Sequence, residues 1–180
     1  MERYVAFLRG MNLGGRRIKN EELRAEFETL GFEDVATFRA SGNVIFGASG
    51  GGESALSKKI EAGLGDALGY EVPVFLRSCA EVVGIAGAEP FEAKLVEASK
   101  GKLQVSFLAK KPAAPARKKV AALSTDDDRL AIAGRELYWL PSGGISESGL
   151  DWKPIDAALG SGTMRTMGTV EQIAAKYCSG

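Results

Sequence analysis

The 180-residue chain contains no histidine. That absence excludes Ser-His-Asp and Cys-His nucleophilic catalysis, imidazole general bases and histidine-ligated zinc. Only two cysteines occur, Cys79 and Cys178, with no CxxC pair. So few exclude a disulfide framework, and two free thiols in a reducing compartment are expected. Net charge is also missing, since 23 basic residues balance 23 acidic ones, which excludes a wholly basic nucleic-acid binder. No apolar run approaches the ~18 residues of a membrane span. The opening MERYVAFLRG is too short in apolar residues for a signal-peptide core. A cytoplasmic protein with no membrane contact is therefore expected.

What is present is ordinary for a globular chain: 45% apolar and 26% charged residues. A chain of this length can bury about 70% of its unfolded surface without staples. Tyr4 to Leu8 predicts a buried strand, followed by a glycine-rich loop and a helix that starts at Asn20 as N-cap. That helix carries Leu23, Phe27 and Leu30 and ends at Gly31. Val35 to Arg39 and Asn43 to Phe46 predict a hairpin around Ala40-Ser41-Gly42. Leu56, Ile60, Leu64 and Leu68 mark a second helix over 53–68, weakened by Gly63 and Gly65. Tyr70 to Leu76 follows as a strand in which Pro73 demands an edge or a bulge. The order is βαββαβ, the ferredoxin-like arrangement.

The later sequence repeats this plan loosely. Strands are expected at Leu103–Ala109, Leu130–Ile132 and Glu136–Leu140, with helices at Pro115–Leu123 and Thr169–Tyr177. VAFLRG from Val5 and VSFLAK from Val105 occupy matching places. Ala80–Lys100 reads as a helix-containing connector and Pro141–Ser161 as a long loop. The expected fold is α+β: two ferredoxin-like (βαββαβ-type) halves with antiparallel sheets, the second incomplete. The halves are placed at residues 1–78 and 79–180.

Chemistry concentrates in RGMNLGGRRIK, Arg9 to Lys19, which holds four positive charges and no acid. Gly10, Gly14 and Gly15 let backbone N–H groups approach an anion, and Arg9, Arg16 and Arg17 could clamp it. The stretch is neither a Walker A loop nor GxGxxG. Glu21 and Glu22 also occupy the following helix start, where a phosphate would otherwise rest. A surface loop shaped by glycines is the plainer alternative. Ser41, Gly42 and Asn43 suit a turn. In a ferredoxin-like half, however, the first and third strands are central neighbours, so Arg9–Asn12 and Ser41–Asn43 should meet. Thr163 and Arg165 precede the last helix, and Thr169 with Gln172 suits a capping box.

Lys100 to Lys119 carries seven basic residues and no acid. It reads as a solvated face ahead of a nucleic-acid patch. Asp126-Asp127-Asp128 reads as a charged turn in preference to a divalent-ion site. Trp139 is expected in the core and Trp152 over the long loop.

YVAFLRGMNLGG, the LGF after the first helix and FRASGNVIF together resemble a mostly bacterial family catalogued as domain of unknown function 1697. Its members typically read LRGINVGG, a helix ending LGF, a strand leading into SGNV, and a terminal threonine-arginine-asparagine-tryptophan segment. The resemblance implies an α+β fold of ferredoxin-like character and no established activity. The motif positions it carries over are Arg9, Gly10, Asn12, Gly14, Gly15, Ser41, Gly42, Asn43, Thr163, Arg165 and Thr169. Thr166 and Met167 depart from it, standing where the family has asparagine and tryptophan.

These residues favour a binding protein for a small anionic or nucleotide-like ligand. An enzyme acting on a phosphorylated or carboxylated substrate stays open, with carboxylates, lysines, Tyr or Cys as its only candidate bases. A weak single-stranded nucleic-acid binder would need exposed aromatics on the central strands. Phe7 and Phe46 are on the right strands but fit a core pattern. No cofactor, metal site or oligomeric state is indicated.

Overall fold

The structure is a computed structural model and describes residues 1–11, 17–40 and 42–179. The chain divides into two compact units, Met1–Ile85 with Ile173–Gly180, and Ala86–Gln172.

The first unit runs β1 (Glu2–Leu8), α1 (Asn20–Thr29), β2 (Glu33–Thr37), β3 (Asn43–Ala48), α2 (Glu53–Leu68), β4 (Val74–Ser78) and α3 (Cys79–Ala86). Its antiparallel sheet has the order β2-β3-β1-β4. The apolar run of β1 is explained by burial on both faces. Tyr4, Ala6 and Leu8 join the core under the helices, with Phe27 of α1 and Ile60 and Leu64 of α2. Val5 and Phe7 lie on the opposite face and are equally buried. Fully burying such side chains contributes about 1.5–3 kcal/mol each. Phe46 centres a ring cluster, with Tyr4, Phe27 and Phe32 at 5.8, 5.5 and 4.5 Å.

Three local expectations shift. Asn20 is the first residue of α1, not its cap, and its side chain turns elsewhere. The strand expected from Tyr70 begins at Val74, so Pro73 lies just outside the ladder. Gly63 does not break α2: a Cβ there would stand 2.6 Å from Leu30 Cδ2, so its bare backbone makes room for Leu30.

The second unit begins in the connector with α4 (Ala93–Ala98). It continues β5 (Gln104–Phe107), α5 (Ala114–Ala121), β6 (Asp128–Ala133), β7 (Glu136–Pro141), α6 (Lys153–Leu159), β8 (Thr163–Thr166) and α7 (Met167–Ile173). The sheet order β6-β7-β5-β8 is that of the first unit, position for position. The second half is therefore filled out rather than incomplete. The stretch expected as one long loop supplies a 3-10 turn (Ile145–Glu147), α6 and the approach to β8. Ile155 and Leu159 of α6 are buried one turn apart, beneath the same core as Val120 of α5 and Trp139 of β7. Trp139 is in the core as expected, and Trp152 meets it edge-on at 5.0 Å and packs against that core.

Beyond α7 a π-helical turn (Ala174–Cys178) belongs to the first unit. There Cys178 forms a disulfide with Cys79 at the start of α3, their Cα atoms 5.0 Å apart. The expectation of free thiols is thus overturned. The bond closes a loop of 99 residues. Among the described residues no helix is long and apolar enough to cross a membrane.

Closing so long a loop restricts the unfolded chain strongly, and losing such a bond typically costs 2–5 kcal/mol. Cys178→Ser should lower the thermal midpoint by roughly 5–15 °C, and dithiothreitol should lower the wild type to the same value. Equal midpoints for the reduced and oxidised wild type would refute this bond.

Candidate functional site

One end of the first sheet brings the start of the Arg9 segment beside Gly42. Because β1 runs antiparallel to both β3 and β4, its last residues face the starts of both. Leu8 N–H donates to the Gly42 carbonyl at 2.8 Å, and Arg9 N–H donates to the Pro73 carbonyl at 3.1 Å. At the far end of the basic segment, Asn20 Nδ2 donates to the Arg39 carbonyl at 3.2 Å. The residues that flank the Arg9–Lys19 segment, Leu8 and Asn20, are thus both tied to the connection between β2 and β3, and Arg9 is tied to the residue before β4. Gly42 has φ +78, and a Cβ there would stand 2.8 Å from Met11 Cγ and 3.1 Å from Leu8 Cβ. Only glycine allows this approach without strain.

The edge so formed is basic. Arg9, Arg17, Lys19 and Arg39 are all exposed. Arg39 has φ +59 and lays its guanidinium 5.2 Å from the Phe38 ring centroid. Of the expected site residues, Arg9, Gly10, Gly42 and Asn43 come together here. Asn12, Gly14, Gly15 and Ser41 lie outside the described residues. Asn43 is buried, and its Nδ2 donates to the Phe38 carbonyl at 2.9 Å. That bond closes the turn, so its amide nitrogen is occupied structurally rather than offered to a ligand.

Thr163, Arg165 and Thr169 belong to the second unit. Arg165 is buried on β8 opposite Val105, and its Nη1 donates to Thr163 Oγ1 at 2.7 Å and to the Met164 carbonyl at 2.8 Å. Burial pushes its pKa down to about 10, so the guanidinium still carries its charge at neutral pH. Thr169 is not the cap expected of it. The helix begins at Met167, and Thr166 Oγ1 accepts the Thr169 N–H at 3.2 Å. Thr166 is the cap and Met167 is buried behind it. The departure from asparagine at 166 therefore replaces one good N-cap with another.

Arg77 escaped the sequence reading. It is the largest fully buried side chain, on β4 opposite Val5, with Nη1 donating to the Leu76 carbonyl at 2.9 Å. The next residue, Ser78, accepts the Glu81 N–H at 3.2 Å while Glu81 Oε1 accepts the Ser78 N–H at 3.0 Å. This is a complete capping box. The same corner closes both units: FLRSCAEVVGI from Phe75 matches TMRTMGTVEQI from Thr163 in arginine, hydroxyl cap, valine and isoleucine. That repeat was the available signal.

Two further expectations resolve here. Asp128 is not part of a merely charged turn: it is buried, and its Oδ1 accepts from Trp139 Nε1 at 2.9 Å and from Ser148 Oγ at 2.7 Å. Phe7 and Phe46, the aromatics that base stacking would need, are fully buried.

A family model described as a protein of unknown function (DUF1697) matches residues 1–138. A solved structure, described as a conserved bacterial protein from Streptococcus pneumoniae, is similar over 97% of both chains, with a TM-score of 0.76 and 21% identity. At that identity the likeness shows a shared α+β fold. No curated protein matches the sequence.

Gly42→Ala should destabilise the chain by about 1–3 kcal/mol, through left-handed backbone strain and the crowding against Met11. A denaturant midpoint equal to wild type would contradict the close approach. Thr166→Ala should cost about 1 kcal/mol and Thr166→Asn almost nothing. Equal losses from the two variants would show that the hydroxyl does not act as a cap.

Proposed function

The chain belongs to the DUF1697 family, and on that footing we propose that it binds a small anionic or nucleotide-like ligand at the basic end of its first sheet. The observation that supports this reading is that Leu8 and Asn20, on either side of the Arg9–Lys19 segment, are both tied to the β2–β3 connection. Arg9, Arg17, Lys19 and Arg39, all exposed, stand in or beside these tied residues, and the segment itself holds no carboxylate. Gly10 lies at the start of the segment at positive φ, and Gly42, also at positive φ, lets Leu8 and Met11 pack closely against the turn beside it. Exposed arginines supply bidentate donors for phosphate or carboxylate. Asn12 and the Gly14-Gly15 backbone belong to the same sequence segment and complete the proposed cradle. Arg165 and its neighbours serve the second unit's own packing in this reading.

The test is thermal stability against a panel of inorganic phosphates, nucleotides and short oligonucleotides at low and moderate salt. A ligand at 100 times its Kd adds about 2.7 kcal/mol, or roughly 5–10 °C at this chain length. One or more anions should raise the midpoint, and Arg9→Gln should weaken that ligand more than tenfold while leaving the unliganded midpoint in place. An undiminished shift in Arg9→Gln would move the site elsewhere, and no shift across the panel would remove the proposal.

A further inference from the structure

We infer that the groove between α5 and β6, in the second unit, receives a short extended segment of a partner protein with alternating acidic and apolar residues. The segment adds to the sheet beside β6. β6 is an edge strand, and its six residues pair with β7 without a break from Asp128↔Pro141 to Ala133↔Glu136. The equivalent edge of the first unit is spoiled as a template. There the pairing of β2 shifts register between Glu33 and Ala36, and Asp34 has φ +48. The centre of β6, Leu130 to Ala133, carries no charge, proline or bulge.

The backbone of β6 is only partly covered. Even-numbered residues turn away from β7: Asp128 N–H donates to Thr125 Oγ1 and Leu130 N–H to Ser124 Oγ. By strand alternation the Leu130 carbonyl and the N–H and carbonyl of Ile132 point the same way. These three groups suit a short added strand. Beside them lies a groove of about 350 Å³, walled by Ala114, Arg117, Lys118 and Ala121 on one face of α5 and by Leu130 and Ile132. The alanines keep the wall shallow and the floor apolar. An eight-residue helix is about 12 Å long, which spans three or four extended residues.

Charge selects the occupant. Arg117 and Lys118 are exposed and form no ion pair among the described residues. Lys110, Lys111 and Lys119, also exposed, extend the basic character. On an added strand the residues at alternate positions stand on the α5 side of the sheet, where acidic ones would meet these cations along the groove, and the apolar residues between them project to the opposite face. A second copy is disfavoured, because β6–β6 pairing would bring two such basic helices to one junction. Single-stranded nucleic acid is disfavoured because no aromatic residue lines the groove for base stacking.

The test uses labelled, capped hexapeptides that alternate Asp or Glu with Ile, Val or Leu, titrated into the full chain by fluorescence anisotropy. At least one should bind saturably. Its affinity should fall at least tenfold in the double variant Arg117→Glu, Lys118→Glu, whose exposed positions leave the melting midpoint in place. It should fall similarly when alternate peptide nitrogens are methylated, which removes strand pairing but not charge. No binding across the set, or binding indifferent to both changes, would overturn the inference. Self-association abolished by the double variant would assign the groove to a second copy, and displacement of the peptide by an oligonucleotide would assign it to nucleic acid. Either result also overturns it.

Discussion

The candidate site depends on one constraint, the seating of β1 between β3 and β4 with antiparallel partners on both sides. The register is enforced from both faces, because Val5 to Leu8 are all buried and a one-residue slip would exchange the two sets of side chains. With that register set, Leu8 must end beside Gly42 and Arg9 beside Pro73. The basic segment that follows has no freedom to leave from another place. The positive φ of Gly42 is a consequence, since the turn into β3 has to pass under Met11 and Leu8.

The same logic closes each unit at its last strand. Arg77 opposite Val5 and Arg165 opposite Val105 occupy equivalent ladder positions, each followed by a hydroxyl that caps the next helix. A buried guanidinium is costly unless its donors are satisfied. Both use a carbonyl one residue earlier in the chain, and Arg165 adds the Thr163 hydroxyl. These residues read as parts of the fold's corner.

Much of this was legible in the sequence. The run Tyr4–Leu8 and the four-residue spacing of Leu56, Ile60 and Leu64 carry strong periodicity. The βαββαβ order also predicted the meeting of the Arg9 loop with the Gly42 turn. What stayed hidden has physical reasons. α6 is seven residues long, with Pro154 at its start and Gly160 after its end, too short for periodicity to emerge. β8, Thr-Met-Arg-Thr, has no apolar run and runs straight into α7, so the cap fell on Thr169 instead of Thr166. Two cysteines separated by the whole second unit say nothing of proximity. Asn43 suits both a turn and a ligand contact by residue type, and its bond to the Phe38 carbonyl decides for the turn.

The most direct measurement is a residue-resolved amide NMR titration with pyrophosphate at moderate salt. The account predicts that the shifts concentrate at Leu8–Met11, at Arg17–Asn20 and around Arg39 and Gly42, and saturate with a single Kd. Saturable shifts confined to the second unit, or no shift at the basic end of the first sheet, would contradict it.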